Sequence, residues 1–573
     1  MKRWILPLLV VFFVLCSMWP AFYEIGKRNE LPPNRTFELI HNYYTDYNFY
    51  LSRIREGWEG RWTVVERYTT EPHNGSFIQI FYLLLGQMAR VVKNASFSVP
   101  GMYHVSRFLL GVVLLALTAS FAKSHFKSFS MGVLAFVTAV TASSWPVIVQ
   151  NSDPLGFRFG GYMPWWTVMD SLQRITFLPH LLFGQALTVF LLIAGGDLAI
   201  LRRPGNWIFL GVLAFALGVV FPPGLVFLAV AYGFLILIEA IADREILKDP
   251  KNRWPWILSR VVSRAMIGIM ALPAILYFQL MFGVYPWRRL VEFDLMHPLH
   301  FEYWEYVQAL GMTFPLGMIG LVWALVRHDK VMKRSIAWVL AWIFCMIAFT
   351  FVPEQPPLRF TEMMPHVPLA ILSIYVIEQV YGIIQRIGKT VGKKGEKKKT
   401  LRDILSTLLF VVAIIPSVTG LFFLYSMWLW QKDFLDQKIR AGWPFIAMDN
   451  YIVYPVKGVT DIFSYIESAT DKDSVILTML SAGNYIPAWT GRRVYVGHEN
   501  TVKKEEKLVE AEYFFKGNMT VEQAINFLHN NGITYVFNGP QEIAASGLPD
   551  ITKAYPFLIE AVKNSDAALY RVP

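Results

Sequence analysis

Cysteine is nearly missing from this chain. Only Cys16 and Cys345 occur in 573 residues, each inside an apolar run, so no disulfide framework staples the fold and the redox compartment leaves no mark. Charge is scarce as well, at 17% of residues against 54% hydrophobic and 15% aromatic. A mean hydropathy of +0.39 with so little charge excludes an ordinary soluble globule, whose core could not bury that much apolar surface. Internal repeats are missing, and so is low-complexity sequence apart from one basic run, GKTVGKKGEKKKTLR. That run reads as a solvated loop between apolar segments, and no nucleic-acid partner is expected.

What the chain has is apolar length. Runs of near-bilayer extent lie at 4–23, 103–122, 131–150, 179–200, 206–222, 225–241, 262–283, 307–326, 335–352, 364–383 and 404–428. At ~1.5 Å rise per residue each suits a hydrocarbon core of ~30 Å. The fold class is therefore a polytopic α-helical membrane protein of about eleven spans. The first run, WILPLLVVFFVLCSMWPAFY, follows Lys2 and Arg3 but lacks a small-residue cleavage site and ends in bulky aromatics, so it reads as an anchor rather than a signal peptide.

Cytoplasmic loops are enriched in Lys and Arg. Placing the basic run inside, alternation puts the N-terminus and the clusters Lys123/Lys127 and Arg202/Arg203 in the cytoplasm. The loops near 151–178, 284–306 and 353–363 then fall outside, with everything from 429 onward. One hydrophobic segment, FIQIFYLLLGQMARVV at 77–92, breaks the parity if it spans. It is short and carries Gln79, Gln87 and Arg90, so it reads as a juxtamembrane helix on the outer surface; the competing reading is a twelfth span.

That helix belongs to a long polar loop, 24–102, directly after the first span. Its stretch HNYYTDYNFYLSRIREGWEGRWTVVERYTTEPHNG gathers Asp46, Glu66, Glu71 and His73 among aromatics, which a simple tether does not need. Three further outward pieces are unusually polar. They are 151–180 with Asp153, Asp170, Arg174, His180 and two tryptophans, 285–306 with Arg288 and Arg289, and 353–366 with Arg359 and His366. Arginine grips phosphate bidentately and carboxylates suit hydroxyls, so these pieces fit a cavity for an anionic lipid headgroup and a carbohydrate-like group. Beyond Trp430 hydropathy falls, and short apolar strands (DSVILTML, RRVYVG, ITYVFNG) alternate with helical stretches. The domain division is thus 1–430 in the membrane and a small extracytoplasmic α/β domain at 431–573.

The stretch TDYNFYLSRIREGWEG after a first span, the segment that follows it through Arg107, and LRFTEMMPHVPLAILSIY before a late span together resemble the C-type (GT-C) integral membrane glycosyltransferase superfamily, in an uncharacterised prokaryotic branch. The resemblance covers the architecture of most of residues 1–430. It implies inverting transfer of a sugar from a polyprenyl-phosphate donor to an acceptor at the outer face of the cell membrane. Asp46 is then expected as the catalytic base, with Glu71 as a second catalytic carboxylate. Arg359 is expected to hold donor phosphate. Glu71 and His73 are placed to orient the acceptor or hold a divalent cation, and Asp170, Arg174 and Arg288 to bind substrate. Asp46 stands between Thr45 and Tyr47, with no acidic neighbour.

The rival class is non-catalytic: a transporter or flippase of lipid-linked saccharides, an assembly scaffold, or an inactive relative of the same fold. A transporter places ionisable groups near the bilayer midplane, often in two similar halves. Here they gather at span ends. Glycosylation sequons begin at Asn34, Asn74, Asn94 and Asn518, all outward in this topology.

Overall fold

The computed structural model describes residues 2–92, 98–152, 154–166, 168–298, 301–389, 395–442 and 453–573. Asp153, Asn94 and residues 390–394 of the basic run lie outside them. The chain divides into two compact units. One comprises Met1–Trp19, Arg107–Leu276 and Pro298–Gln431; the other comprises Pro20–Ser106, Tyr277–His297 and Lys432–Pro573.

The chain is a multi-pass membrane protein. Among the described residues seven helices are long and apolar enough to cross a bilayer, or eight if a bent pair counts as one span. They include Lys2–Gly26, Val99–Ser124, His366–Lys389 and the 46-residue Gly395–Arg440. Three expected spans form shorter helices, Phe129–Thr141 with 13 residues and Pro179–Gly195 and Pro204–Val220 with 17 each.

Two expected spans are interrupted. The run 131–150 is helical only to Thr141; after Trp145-Pro146 the chain forms β1 (Val147–Gln150), which pairs antiparallel with β2 (Phe157–Gly160). The run 307–326 breaks at Gly311 (φ 55°), where Tyr303–Leu310 meets Thr313–Val326 at 95°. A Cβ at Gly311 would lie 2.2 Å from the Ser143 carbonyl oxygen, so close backbone approach requires glycine there.

The other unit carries a five-stranded mixed sheet built from β3 (Val475–Leu477), β4 (Arg493–Val494), β5 (Tyr535–Asn538), β6 (Ile559–Lys563) and β7 (Ala568–Arg571) in the order β4-β3-β5-β7-β6. Strands β4, β3 and β5 are parallel; β7 runs antiparallel to both β5 and β6. The first three are the strands read from sequence. The helix Val521–Asn530 opens on a capping box between Thr520 and Gln523 and stops before Gly532 (φ 64°), as the Asn-Asn-Gly signal implies.

The two faces of the sheet bury different partners. Val475, Leu477, Phe514, Phe515, Leu528 and Tyr555 form one core. On the other face Ile476, Val494 and Leu569 pack with Ile462, Phe463 and Tyr485, and also with Tyr44, Phe49 and Tyr68 of the polar loop. Loop and C-terminal stretch therefore share one hydrophobic core, although more than 300 residues separate them in sequence.

Candidate functional site

The polar loop is built around the helix Tyr44–Trp58. Asn42 turns the chain in the left-handed region (φ 64°), Tyr43 is extended, and the helix begins, leaving Asp46 half-buried in the first turn. Uncapped N–H groups and the positive end of the helix dipole stabilise a negative side chain there by ~0.3–1 kcal/mol. The same unit holds two hydroxyl–imidazole pairs, Tyr47 with His104 and His41 with Tyr103. The Tyr47 hydroxyl lies 3.2 Å from His104 Nε2, and His41 Nδ1 lies 3.1 Å from the Tyr103 hydroxyl. Tyr50 and Tyr82 stack at 4.4 Å.

This helix is held from three sides. Against the helix Ile80–Val92 it packs backbone to backbone: a Cβ on Gly57 would lie 1.9 Å from Leu83 O, and one on Gly86 1.9 Å from Ile54 O. With 13 residues, Ile80–Val92 rises ~20 Å, short of the ~30 Å hydrocarbon core. On a second side the fully buried Arg53 guanidinium donates to Glu66 at 2.6 Å, to the Val65 carbonyl at 3.0 Å and to Gln79 at 3.1 Å. Glu56, one turn on, accepts the Val65 N–H at 2.8 Å, so an arginine and two glutamates pin residues 64–67 onto the helix. Burying such charges is costly, and only full pairing offsets it.

The third side is the C-terminal α/β fold. Asn484, in the helix Leu480–Thr490, accepts from Asn48 at 2.8 Å and donates to the Thr45 carbonyl at 3.3 Å. Its own carbonyl accepts the Tyr68 hydroxyl at 3.0 Å. Val494 on strand β4 donates to the Arg67 carbonyl at 3.0 Å, and the Arg55 guanidinium donates to Ala488 O at 2.8 Å. Position 46 is thus set from residues near 484.

Glu71 and His73 form a second constellation. Lys507 pairs with Glu71 at 2.8 Å, and the Thr69 hydroxyl donates to the same carboxylate. Burial alone would raise the Glu71 carboxyl, but the bonds from Lys507 and Thr69 hold it below its ordinary value. His73 spends both ring nitrogens on backbone. Nε2 accepts the Glu66 N–H at 2.9 Å and Nδ1 donates to Glu71 O at 2.7 Å, a neutral tautomer favoured further by burial, which lowers its pKa. Arg288 is half-exposed, bonded to Glu292 at 2.9 Å, whereas the neighbouring Arg289 is buried against Glu505 at 2.6 Å.

The other expected residues lie in the first unit. Asp170 is buried and accepts the N–H groups of Leu172 at 2.8 Å and Gln173 at 3.0 Å, organising the turn Gln173–Thr176. Burial raises its carboxyl, opposed by those N–H groups. Arg174 donates to the carbonyls of Val140 at 2.9 Å and Ala142 at 2.5 Å, satisfying the C-terminal end of Phe129–Thr141; burial brings its pKa down to about 10. Arg359 lies half-buried in the 3-10 turn Pro357–Met363. Trp166 bolts that turn through Thr361 at 3.0 Å, Gln185 through the Glu362 carbonyl at 2.7 Å, and Trp338 through the Met363 carbonyl at 2.8 Å. Beside it a cavity of ≈ 30 Å³, room for a water or two, is lined by Arg174, Gln185, Thr361 and His366.

Among the described residues no group of three or more His, Cys, Asp or Glu is placed to hold a metal ion. The Arg53 network, Asn484, Lys507 and His104 were not singled out from sequence. Only Arg53 and Glu56 carried a local signal, three apart on one helix face.

A helical membrane unit, and a sheet-bearing unit that also holds the polar loop, give a fold like that of a solved archaeal oligosaccharyltransferase. The apo oligosaccharyltransferase of Archaeoglobus fulgidus matches at a TM-score of 0.51 and 13% identity, over 98% of this chain and 73% of that one. The oligosaccharyltransferase AglB from the same organism, in complex with an inhibitory peptide and a dolichol-phosphate, gives 0.49 at 13% identity over the same shares, 98% and 73%. ArnT from Cupriavidus metallidurans bound to undecaprenyl phosphate gives 0.48 at 11% identity, over 98% of this chain and 97% of that one. At these identities the likeness is one of fold. No family model and no curated protein sequence matches the chain.

Proposed function

We propose that this chain is a membrane glycosyltransferase that moves a sugar from a polyprenyl-phosphate donor to an acceptor hydroxyl or amine, with its polar loop and C-terminal α/β fold on the extracytoplasmic side. The observation that carries the reading is the fold match over 98% of the chain to an oligosaccharyltransferase. Asp46, in the first turn of a helix held on three sides, supplies the candidate chemistry.

The acceptor's oxygen or nitrogen attacks the anomeric carbon as the bond from that carbon to phosphate oxygen breaks. The electron pair leaves with the phosphate, and the acceptor's proton passes to the Asp46 carboxylate. One displacement inverts the anomeric centre. Negative charge grows on the departing phosphate, and a guanidinium presents a planar fork of donors for it. Arg359 is assigned that part. Asp170 and Arg174 are assigned the upkeep of the turn and helix end they bond. Glu71 and His73 are positioning residues, tying the loop to Lys507 and to its own backbone.

Purified protein in proteoliposomes, supplied with polyprenyl-phosphate-linked sugars and simple acceptors, tests the reading. Arg359→Ala is expected to raise the KM for donor about tenfold or more while leaving the KM for acceptor near its original value, as loss of a charge-assisted hydrogen bond of ~1.5–3 kcal/mol requires. Equal weakening of both would remove the phosphate role.

A further inference from the structure

At the end of the first membrane helix the chain leaves a groove that the proposed reaction does not use. Its volume is ≈ 640 Å³; Tyr23, Lys27 and Glu30 line one side, and Lys432, Asp436 and Arg440 the other. The groove is organised about one aromatic ring. Lys27 Nζ and Lys432 Nζ each lie 5.7 Å from the centroid of Tyr23, whose hydroxyl donates to Asp436 at 2.7 Å. Lys27 pairs with Glu30 at 2.7 Å and Lys432 with Asp436 at 2.8 Å. Arg440 is exposed and has neither hydrogen bond nor ion pair among the described residues. Among the lining side chains three cations face two carboxylates, an excess of one positive charge, while Asp433, outside the lining, also acts on Lys432.

We propose that this groove binds the phosphodiester headgroup of a singly anionic membrane phospholipid. Its position supports a lipid. Tyr23 closes the apolar run of the first helix, and Lys432 follows Trp428 and Trp430, the residue types that mark the membrane–water interface. Long cationic side chains at that level reach toward headgroup phosphates. The excess charge matches one phosphodiester. The Lys27–Glu30 pair is solvent-exposed, the kind of contact worth little, so phosphate can replace Glu30 as partner of Lys27.

Native mass spectrometry of the detergent-purified full chain, titrated with phosphatidylglycerol, phosphatidylcholine or inorganic phosphate, tests the site. One phosphatidylglycerol is expected to be retained in preference to phosphatidylcholine. Lys27→Ala with Arg440→Ala is expected to weaken that retention about 30-fold, the effect of removing two cations near a membrane surface at ~1 kcal/mol each. Glu30→Gln, which removes the competing carboxylate, is expected to strengthen it, a gain that misfolding cannot imitate. Lys563→Ala, on strand β6, controls for general loss of charge and should change nothing. Unchanged retention in the double variant, no gain in Glu30→Gln, or equal retention of the two lipids would overturn the proposal. Displacement by excess inorganic phosphate would mark a free-anion site and overturn the lipid assignment.

Discussion

A carboxylate closed off from water behaves unlike one in a loop, and Glu542 shows it. Fully buried, it accepts the N–H of Met479 at 2.7 Å and of Gly539 at 3.1 Å; burial pushes it up from 4.5 to about 7, against the pull of those N–H groups. A folded pKa above the unfolded one means the folded state binds the extra proton. Its stability contribution is full below pH 4.5 and is lost as pH rises through about 7, by about 3 kcal/mol. Thermal unfolding of the purified protein between pH 4.5 and 8 should show this decline, and Glu542→Gln should flatten it while lowering stability at acid pH, since an amide has only one oxygen to accept with. Parallel pH profiles would contradict the assignment. None of this was legible beforehand, because nothing near Glu542 in sequence announces Met479 as its partner. Asp46 was legible as an acid among aromatics, but its place in a helical first turn was not. Tyr43 is no usual N-cap, and Asn42 hides the turn in a left-handed conformation.

At the scale of elements, the crossing of Tyr44–Trp58 with Ile80–Val92 decides how firmly Asp46 is held. Gly57 and Gly86 meet the opposite backbone directly, and a methyl group at either would overlap a carbonyl oxygen. Gly86→Ala is expected to cost about 1–3 kcal/mol of stability, the usual price of overpacking, read as a lowered Tm. Gly233→Ala, in the helix Pro222–Ala242 where a Cβ meets nothing within 4 Å, should leave Tm unchanged or raise it. Equal effects would show that the crossing is loose. Hydropathy marked the seven helices that are long and apolar enough to span, because span length alone carries that signal, but the expected count of eleven exceeds the seven or eight among the described residues. It missed the β1–β2 hairpin, since Val147, Ile148 and Val149 are as apolar as a helix interior; the signals for a hairpin were Pro146 and the turn residues NSDPLG. The break at Gly311 was hidden in the same way. In the tail, β6 and β7 went unread because only a short alternation marks them, whereas the capped helix Val521–Asn530 was plain.

On the scale of the whole molecule, the compact units do not follow a single cut near residue 430. Residues 20–106 fold into the unit that holds the C-terminal sheet. Asn48 and Asn484 are bonded across 436 residues, a pairing that one sequence cannot disclose. The practical consequence concerns truncation. Removing 453–573 is expected to abolish transfer even if the membrane helices remain folded, because the helix carrying Asp46 loses Asn484 and one face of its core; full activity of the truncated chain would refute that dependence. The proposed orientation is checked by single cysteines at 74 and 395 in a chain lacking Cys16 and Cys345. Membrane-impermeant thiol reagent should label position 74 from outside and position 395 only after the membrane is opened, and the reverse pattern would invert the topology. The central claim is that Asp46 takes the acceptor's proton during sugar transfer. Its most direct test is turnover of a polyprenyl-phosphate-linked sugar by Asp46→Asn protein whose Tm matches the original. Turnover is expected to fall about 10²–10⁴-fold with donor binding retained, the contribution of a general base; undiminished turnover would remove Asp46 from the reaction.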